Sequence, residues 1–212
     1  MKILFLLCFL ILRFVQTYSQ SDCILKLDKD SVKVYICKVS NSKFKAVKSF
    51  FLLRGNLSQI AAMILDIEHH GEWTYKTINS KILKKISERE IIYYTEVVAP
   101  MLISNRDFVI RMTLDQNSET KEIVIDLVSI PDYIPRKKNV VRIPFSKARW
   151  LIKPLSPSLL QIDYYIEIDL GGSIPPWIVN MVAPQAPYQT FHNMRKKIGI
   201  YKNRTVPFIS NR

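Results

Sequence analysis

Strict alternation of apolar and polar side chains near the end of the chain constrains the fold more than any other feature. Within residues 159–170 every even-numbered position is apolar or aromatic, and the odd positions from 161 onward are polar except for Tyr165. This period of two is typical of an antiparallel strand with one dry face and one solvated face. Residues 146–153 repeat the pattern and predict a partner strand, joined through a turn at 154–158.

Further alternating or β-branched segments predict a meander of about eight strands in a single domain, since the chain has no internal repeat or Gly/Ser-rich linker. The predicted strands are 32–38, 43–54, 80–86, 91–98, 106–114, 121–130, 146–153 and 159–170.

Two helical segments interrupt the strands. Asn56 is a suitable cap for a helix over 57–68, whose apolar residues recur at helical spacing. The second segment lies at the C-terminal end, where Pro184 and Pro187 predict a break. We therefore expect a short helix at 176–182, a kink, and a longer helix over 187–199. The class is α+β: a curved antiparallel sheet of about seven to eight strands around a kinked C-terminal helix, with a small helix after the second strand.

The N-terminus predicts export. Lys2 precedes an apolar run from residue 3 to residue 12, and small residues at 17 and 19 fit signal processing. Ten apolar residues span only about half of the roughly 20 needed to cross a bilayer. We predict a signal peptide at 1–19, a ligand-binding domain at 20–200, a tail at 201–212, and a periplasmic or extracellular location; an uncleaved N-terminal anchor is the alternative.

The net charge of the chain limits the classes of binding partner that we expect. Removal of residues 1–19 takes away Lys2 and Arg13, so 29 basic and 18 acidic residues remain and the formal charge falls from +13 to +11. Such a charge favours anionic surfaces, including phospholipid headgroups. Export and the lack of any nucleic-acid-binding motif argue against nucleic acid. We expect a monomer that contacts anionic membranes.

Two cysteines, Cys23 and Cys37, remain after this processing. In an oxidising compartment they form a disulfide across a loop of about 15 residues, worth about 3 kcal/mol. The alternative is that Cys37 is a buried thiol on a strand, and the sequence leaves both interpretations open.

Several motifs occur in the order found in START domains, especially exported bacterial START-like proteins, and the chain resembles that family over roughly residues 32–200. The matching stretches are 66–73 (DIEHHGEW), 92–95 through Pro100, 104–109 (SNRDFV), 131–135 (PDYIP), 150–154 and 169–177 (DLGGSIPPW).

The resemblance implies a helix-grip fold with a deep cavity that holds a sterol, a phospholipid or a fatty-acid-like ligand. Binding and transfer of such a ligand is the predicted function, with no cofactor, no metal and no catalysis. The alternatives are a polyketide cyclase-like enzyme of related fold and a protein-interaction module that uses the same groove. The sequence offers neither a catalytic triad nor a metal-binding spacing such as H-E-x-x-H.

Eight side chains are candidates for the ligand site, although ordinary core packing is the alternative for each. Alternation allows only one of Tyr93 and Tyr94 to face inward, and we select Tyr94. The candidates are Trp73, Tyr94, Arg106, Phe108, Trp150, Tyr164, Met181 and Tyr188.

Arg106 is the most informative candidate because it shares a strand face with Phe108 and Ile110. A buried cation needs a partner. The structural interpretation pairs Arg106 with Asp107, Glu72 or Glu96. The functional interpretation assigns it to a ligand carboxylate, phosphate or hydroxyl.

Overall fold

In the computed structural model of this chain, residues 23–39, 45–100 and 103–211 are described. The predicted signal peptide, most of the link between the second and third strands, and Met101 and Leu102 lie outside the described residues. The strands are β1 (Cys23–Lys29), β2 (Val32–Lys38), β3 (Lys45–Arg54), β4 (Thr77–Lys85), β5 (Glu90–Val97), β6 (Asn105–Gln116), β7 (Ile123–Ser129), β8 (Val140–Arg142), β9 (Phe145–Ser156) and β10 (Leu159–Asp169).

These strands form one sheet in the order β1-β2-β3-β10-β9-β7-β6-β5-β4, and β8 pairs in parallel with the start of β6. Every other pairing is antiparallel. The expected antiparallel sheet is confirmed, but ten strands replace the predicted seven or eight. Sequence patterning missed β1, which is mostly exposed, and β8, which has only three residues.

Two α-helices and two short 3-10 helices complete the fold. Helix α1 (Leu57–Leu65) begins at a capping box formed by Asn56 and Gln59, and a 3-10 helix (Ile67–Glu72) follows it. The predicted helix over 57–68 is therefore shorter, and it follows the third strand because β1 precedes the two expected ones. A second 3-10 helix (Ile198–Tyr201) lies beyond the C-terminal helix.

The C-terminal helix, α2 (Pro176–Lys197), is continuous through Pro184 and Pro187. The expected separation into two helices is wrong. A proline inside a helix removes one backbone hydrogen bond, but packing of the flanking turns against the sheet can offset that loss. None of the described helices is long and apolar enough to cross a membrane.

Residues beyond 200, expected to form a tail, continue the domain. Tyr201, Val206 and Ile209 are buried in the main core. The backbone of Ser210 exchanges two hydrogen bonds of 2.8 Å with the Gln116 side chain, and Asn211 accepts one from the Ser58 N–H. These contacts attach the C-terminal segment to β6 and α1.

The disulfide between Cys23 and Cys37 is present and joins facing positions of β1 and β2. Of the two interpretations that the sequence left open, the structure therefore has the disulfide. It holds the edge strand at the point where the described chain begins.

Candidate functional site

The concave face of the sheet, which packs against α2, is dry at one end and accessible at the other. At the first end, which we call the base, the side chains of Leu53, Leu114, Ile123, Ile152 and Ile162 are all essentially fully buried. Toward the opposite end, which we call the mouth, inner-face residues keep accessible surface although they pack on the same core. These half-buried residues are Phe108, Leu127, Tyr164 and Ile166.

Helix α2 covers this face unevenly. In its C-terminal half, the Phe191 ring stacks on Phe51 with centroids 3.9 Å apart, and Met194 is fully buried. In its N-terminal half, Ile178 is buried, but Trp177 is 65% exposed and Met181 is 47% exposed. The helix therefore closes the base firmly and the mouth loosely.

Four of the predicted site residues lie on or against this inner core. Trp73 is buried beside the ring of His70, whose centroid is 4.9 Å away. The rings of Trp150 and Tyr164 are neighbours at 4.8 Å, and Phe108 packs at the mouth side. The structure brings these side chains together; their ligand roles stay predictions.

Tyr94 does not line the inner face, so that choice is wrong. Tyr93 belongs to the main core, whereas Tyr94 packs with Ile92 and Val109 in a second cluster on the outer face. The Tyr94 hydroxyl donates to Glu96 over 3.1 Å. The two tyrosines could not be told apart by patterning, because β5 is buried on both faces.

Two residues of α2 also differ from the prediction. Met181 points to the surface rather than into the interior. Tyr188 packs on the core, but its hydroxyl donates to Asp30 in the β1–β2 turn over 2.6 Å. The expected interior position of Met181 is therefore wrong, and the Tyr188 hydroxyl is directed to the β1–β2 turn although its ring packs on the core.

Arg106 is buried on the inner face at the mouth, and no described acidic side chain pairs with it. Its exposed fraction is 6%, and its guanidinium donates to the backbone carbonyls of Ser104, Leu170 and Gly171 at 2.5, 3.4 and 3.4 Å. Because burial penalises the cation, the pKa of Arg106 is lowered. Within the part of the chain that the structure describes, its positive charge is therefore offset only by backbone dipoles.

The three acids that the sequence suggested as partners of Arg106 are engaged elsewhere, so the predicted ion pair is wrong. Asp107 pairs with Arg142, Glu96 with Lys137, and Glu72 with Lys197. Successive residues of a strand point to opposite faces, so Asp107 cannot reach its neighbour's guanidinium.

Two glycines shape the backbone around Arg106. Gly171 and Gly172 both have φ of +63°, a left-handed conformation that glycine adopts without strain. This turn directs the carbonyls of Leu170 and Gly171 toward Arg106 before α2 begins. A pocket of about 240 Å³ opens there, lined by Arg106, Ile103, Ser104, Val141, Gly172 and Ser173.

The outer face behind this site is held by a polar network. Arg142 binds both carboxylate oxygens of Asp107 and donates to the Pro131 and Ile134 carbonyls. Burial alone would raise the pKa of Glu96, but hydrogen bonds from Lys137, Asn105 and Tyr94 outweigh it and lower that pKa. The network fixes the loop before β8 against β6 and so positions Arg106.

Sequence reasoning missed three inner residues, Ser49, His70 and Tyr93. His70 Nε2 donates to the Ile64 carbonyl over 2.8 Å, and its ring contacts Tyr93 at 5.7 Å. Burial lowers the pKa of His70 to about 4. The adjacent His69, by contrast, is exposed.

A curved antiparallel sheet closed by a C-terminal helix defines the helix-grip class of ligand-binding proteins. The sequence model of the START domain matches residues 16–200. The chain therefore belongs to the START domain family.

Individual relatives agree with this assignment. An uncharacterized protein of Pseudomonas aeruginosa is 29% identical over 171 residues, covering 81% of this chain and 84% of that protein. The mouse phosphatidylcholine transfer protein is 24% identical over 190 residues, covering 87% of each. A STAR-related lipid transfer protein from Xanthomonas axonopodis superposes with a TM-score of 0.77 at 26% identity, covering 84% of this chain and 99% of that structure.

Proposed function

We propose that this protein binds a lipid between the inner face of its sheet and helix α2, and carries it through an aqueous compartment. The observation that carries the proposal is the uneven cover of the inner face, which is dry at the base and accessible at the mouth. The similar proteins named for lipid or phosphatidylcholine transfer support the same conclusion.

Arg106 binds the polar end of this ligand. Its charge is buried without an acidic partner among the described residues. A guanidinium has five N–H donors, of which the three carbonyls occupy three. A carboxylate or phosphate at the mouth would supply the missing negative charge and the remaining hydrogen bonds.

Ligand uptake requires the mouth to widen. The pocket at Arg106 holds about 240 Å³, whereas sites for drug-sized ligands occupy about 300–1,000 Å³. The N-terminal half of α2 has few buried side chains, so it is the element that moves. The firmly packed half around Phe191 acts as the anchor.

Loading takes place at an anionic membrane. The exposed Trp177 and Met181 lie four residues apart on α2, next to the mouth, and an indole is favourable at a membrane interface. The basic net charge of the chain favours anionic headgroups.

The protein acts after export, as a monomer and without catalysis. The Cys23–Cys37 disulfide supports the export part, because such bonds persist in oxidising compartments. The mass of the protein recovered from its native host tests it: loss of residues 1–19 is expected, and a full-length cytosolic product in which Cys23 and Cys37 are free thiols would contradict export.

The test of ligand binding is native mass spectrometry of the purified protein, followed by extraction and identification of the bound molecule. We expect a lipid in one-to-one ratio. Ala148 lies on the inner face and Lys147 on the outer face of β9, so Ala148→Phe should reduce lipid occupancy and Lys147→Phe should not. Thermal unfolding confirms that both variants are folded. Purification without lipid, combined with failure to take up lipid from vesicles, would contradict the proposal.

A further inference from the structure

The interior contains polar atoms that no described residue satisfies. Ser49 Oγ and Trp73 Nε1 are fully buried and have no hydrogen-bond partner among the described residues. The hydroxyls of Tyr93 and of the half-buried Tyr164 also have no hydrogen-bond partner among the described residues, but these two oxygens are not fully buried. An unpaired buried polar group is disfavoured, and native proteins satisfy most such groups. We call Ser49, Trp73, Tyr93 and Tyr164 the inner polar cluster.

The members of this cluster surround one region of the core. Ser49 and Tyr164 face each other directly on β3 and β10. Tyr93 lies on β5, which is distant from β10 in the strand order, but the curvature of the sheet brings it near Tyr164. Burial raises the pKa of Tyr93, and the nearby Tyr164 raises it further. Trp73 and Tyr93 contact the same ring, that of His70, at 4.9 and 5.7 Å.

The cluster is uncharged. Burial raises the pKa of both tyrosines, and His70 beside them is neutral because burial lowers its pKa. Among the buried charged side chains of the described chain, Arg106 alone lies on the inner face. It precedes Ile110, the cross-strand partner of Tyr93, by four strand residues, or about 13 Å.

We propose that the inner polar cluster is a second subsite, which binds an uncharged oxygen of the ligand, a hydroxyl or a carbonyl, at a distance from the group held by Arg106 that corresponds to about 13 Å of backbone along β6. This inference rests on the proposed function. An indole N–H is a donor only, and the hydroxyls can donate as well, so the cluster requires an acceptor atom. A plain hydrocarbon chain would leave all four groups unpaired, whereas an oxygenated chain would pair at least one or two of them.

The two-point arrangement selects a ligand class: a long apolar molecule with an anionic end and an uncharged oxygen near its middle. Stearate and stearate with a mid-chain hydroxyl form a matched pair of probes. Each hydrogen bond between neutral groups is worth roughly 0.5–1.5 kcal/mol, so the hydroxylated probe should bind the wild-type chain about tenfold more tightly.

Substitutions within the inner polar cluster test whether these residues cause the preference for the hydroxylated probe. In Ser49→Ala/Tyr164→Phe, and separately in Trp73→Phe, the ratio of the two affinities measured in the same variant should shrink from about tenfold to about twofold or less. Tyr165→Phe is the matched control, because that hydroxyl lies on the outer face of the same strand and donates to Glu167. It should leave the preference unchanged.

The affinities of the two probes distinguish failure of the second subsite from failure of the proposed lipid-binding function. Equal affinity of the two probes for the wild-type chain would overturn the subsite and assign the cluster to bound water. Binding of neither probe would overturn the proposed function for ligands of this class, and the subsite with it. If a variant does not fold, stearate with a mid-chain carbonyl tests the wild type alone: it should bind like the hydroxylated probe, and affinity no better than that of stearate would contradict the acceptor requirement.

Discussion

Asp107 and Arg142 form a bidentate ion pair in which both side chains are only 1% exposed. Nε and Nη2 of Arg142 lie 2.8 and 3.1 Å from the two carboxylate oxygens. The neighbouring Arg106 is also buried, but no acidic side chain in residues 23–39, 45–100 or 103–211 pairs with it. Of two adjacent charged residues on β6, one is therefore neutralised within the fold and the other is not.

Breaking the Asp107–Arg142 pair should be strongly destabilising, because it leaves a buried guanidinium uncompensated. We expect Asp107→Asn to lower the free energy of unfolding by about 3–5 kcal/mol, measured by urea denaturation. Asp126→Asn is the control, since its pair with Arg149 is largely exposed and worth about 0–1 kcal/mol. Equal effects of the two substitutions would contradict the structural role of the buried pair.

Replacement of Arg106 should affect ligand choice more than stability. In Arg106→Met no buried acid loses its partner, so the loss of stability should be smaller than in Asp107→Asn. Affinity for stearate should fall about ten- to a hundredfold, the value of a charged hydrogen bond, while affinity for stearyl alcohol falls less. Arg111→Met, at an exposed position of the same strand, is the control. An unfolded Arg106→Met protein would favour a purely structural role.

Acidification should destabilise the protein through His70. Its pKa is about 4 when folded and about 6.5 when unfolded, so the unfolded chain binds more protons between these values. Stability contributed by neutral His70 is thus complete above about pH 6.5 and is lost as the pH falls toward 4, by about 3 kcal/mol.

A matched pair of histidine variants isolates this effect in urea denaturation at pH 7 and pH 4.5. His70→Gln should reduce the difference in unfolding free energy between the two pH values. His69→Gln should not reduce it, because the pKa of the exposed His69 is raised by its hydrogen bond to Asp66, which is the opposite direction. An unchanged pH dependence in His70→Gln would contradict the assignment.

The disulfide should stabilise the fold through its 15-residue loop. Reduction, or the Cys23→Ser/Cys37→Ser double variant, should lower the free energy of unfolding by about 3 kcal/mol. Alkylation without reduction, read by mass, checks the bond itself, and addition of an alkyl group to each of the two cysteines would exclude it.

Membrane contact through α2 should depend on Trp177. Flotation with vesicles that contain anionic lipid should decrease in Trp177→Ala and at high salt. Ile200→Ala is a suitable control, because Ile200 is equally exposed but lies beyond the other end of α2. Binding that is indifferent to lipid charge, salt and Trp177 would count against this surface.

Patterning succeeded where one face of a strand is dry and the other wet. The alternation in residues 159–170 predicted β10 closely. Because Arg106 and Phe108 are two residues apart on one strand, the pattern also placed both side chains on the inner face. It failed on β5, because Ile130 and Ile134 pack on the outer face and make both sides apolar. Alternation then cannot show which face of the strand points to the interior, and for this reason Tyr94 was chosen in place of Tyr93.

What the sequence alone determined is local: strand periods, the Asn56 cap, and motifs in an order that resembles START domains. Only the tertiary structure decided the pairings. Asp107 selects Arg142 because β8 runs beside β6, and α2 stays whole through two prolines because its C-terminal half packs on the sheet. Such choices depend on residues distant in the chain, and a local pattern cannot specify the partner of Arg106, or its lack of an acidic one among the described residues.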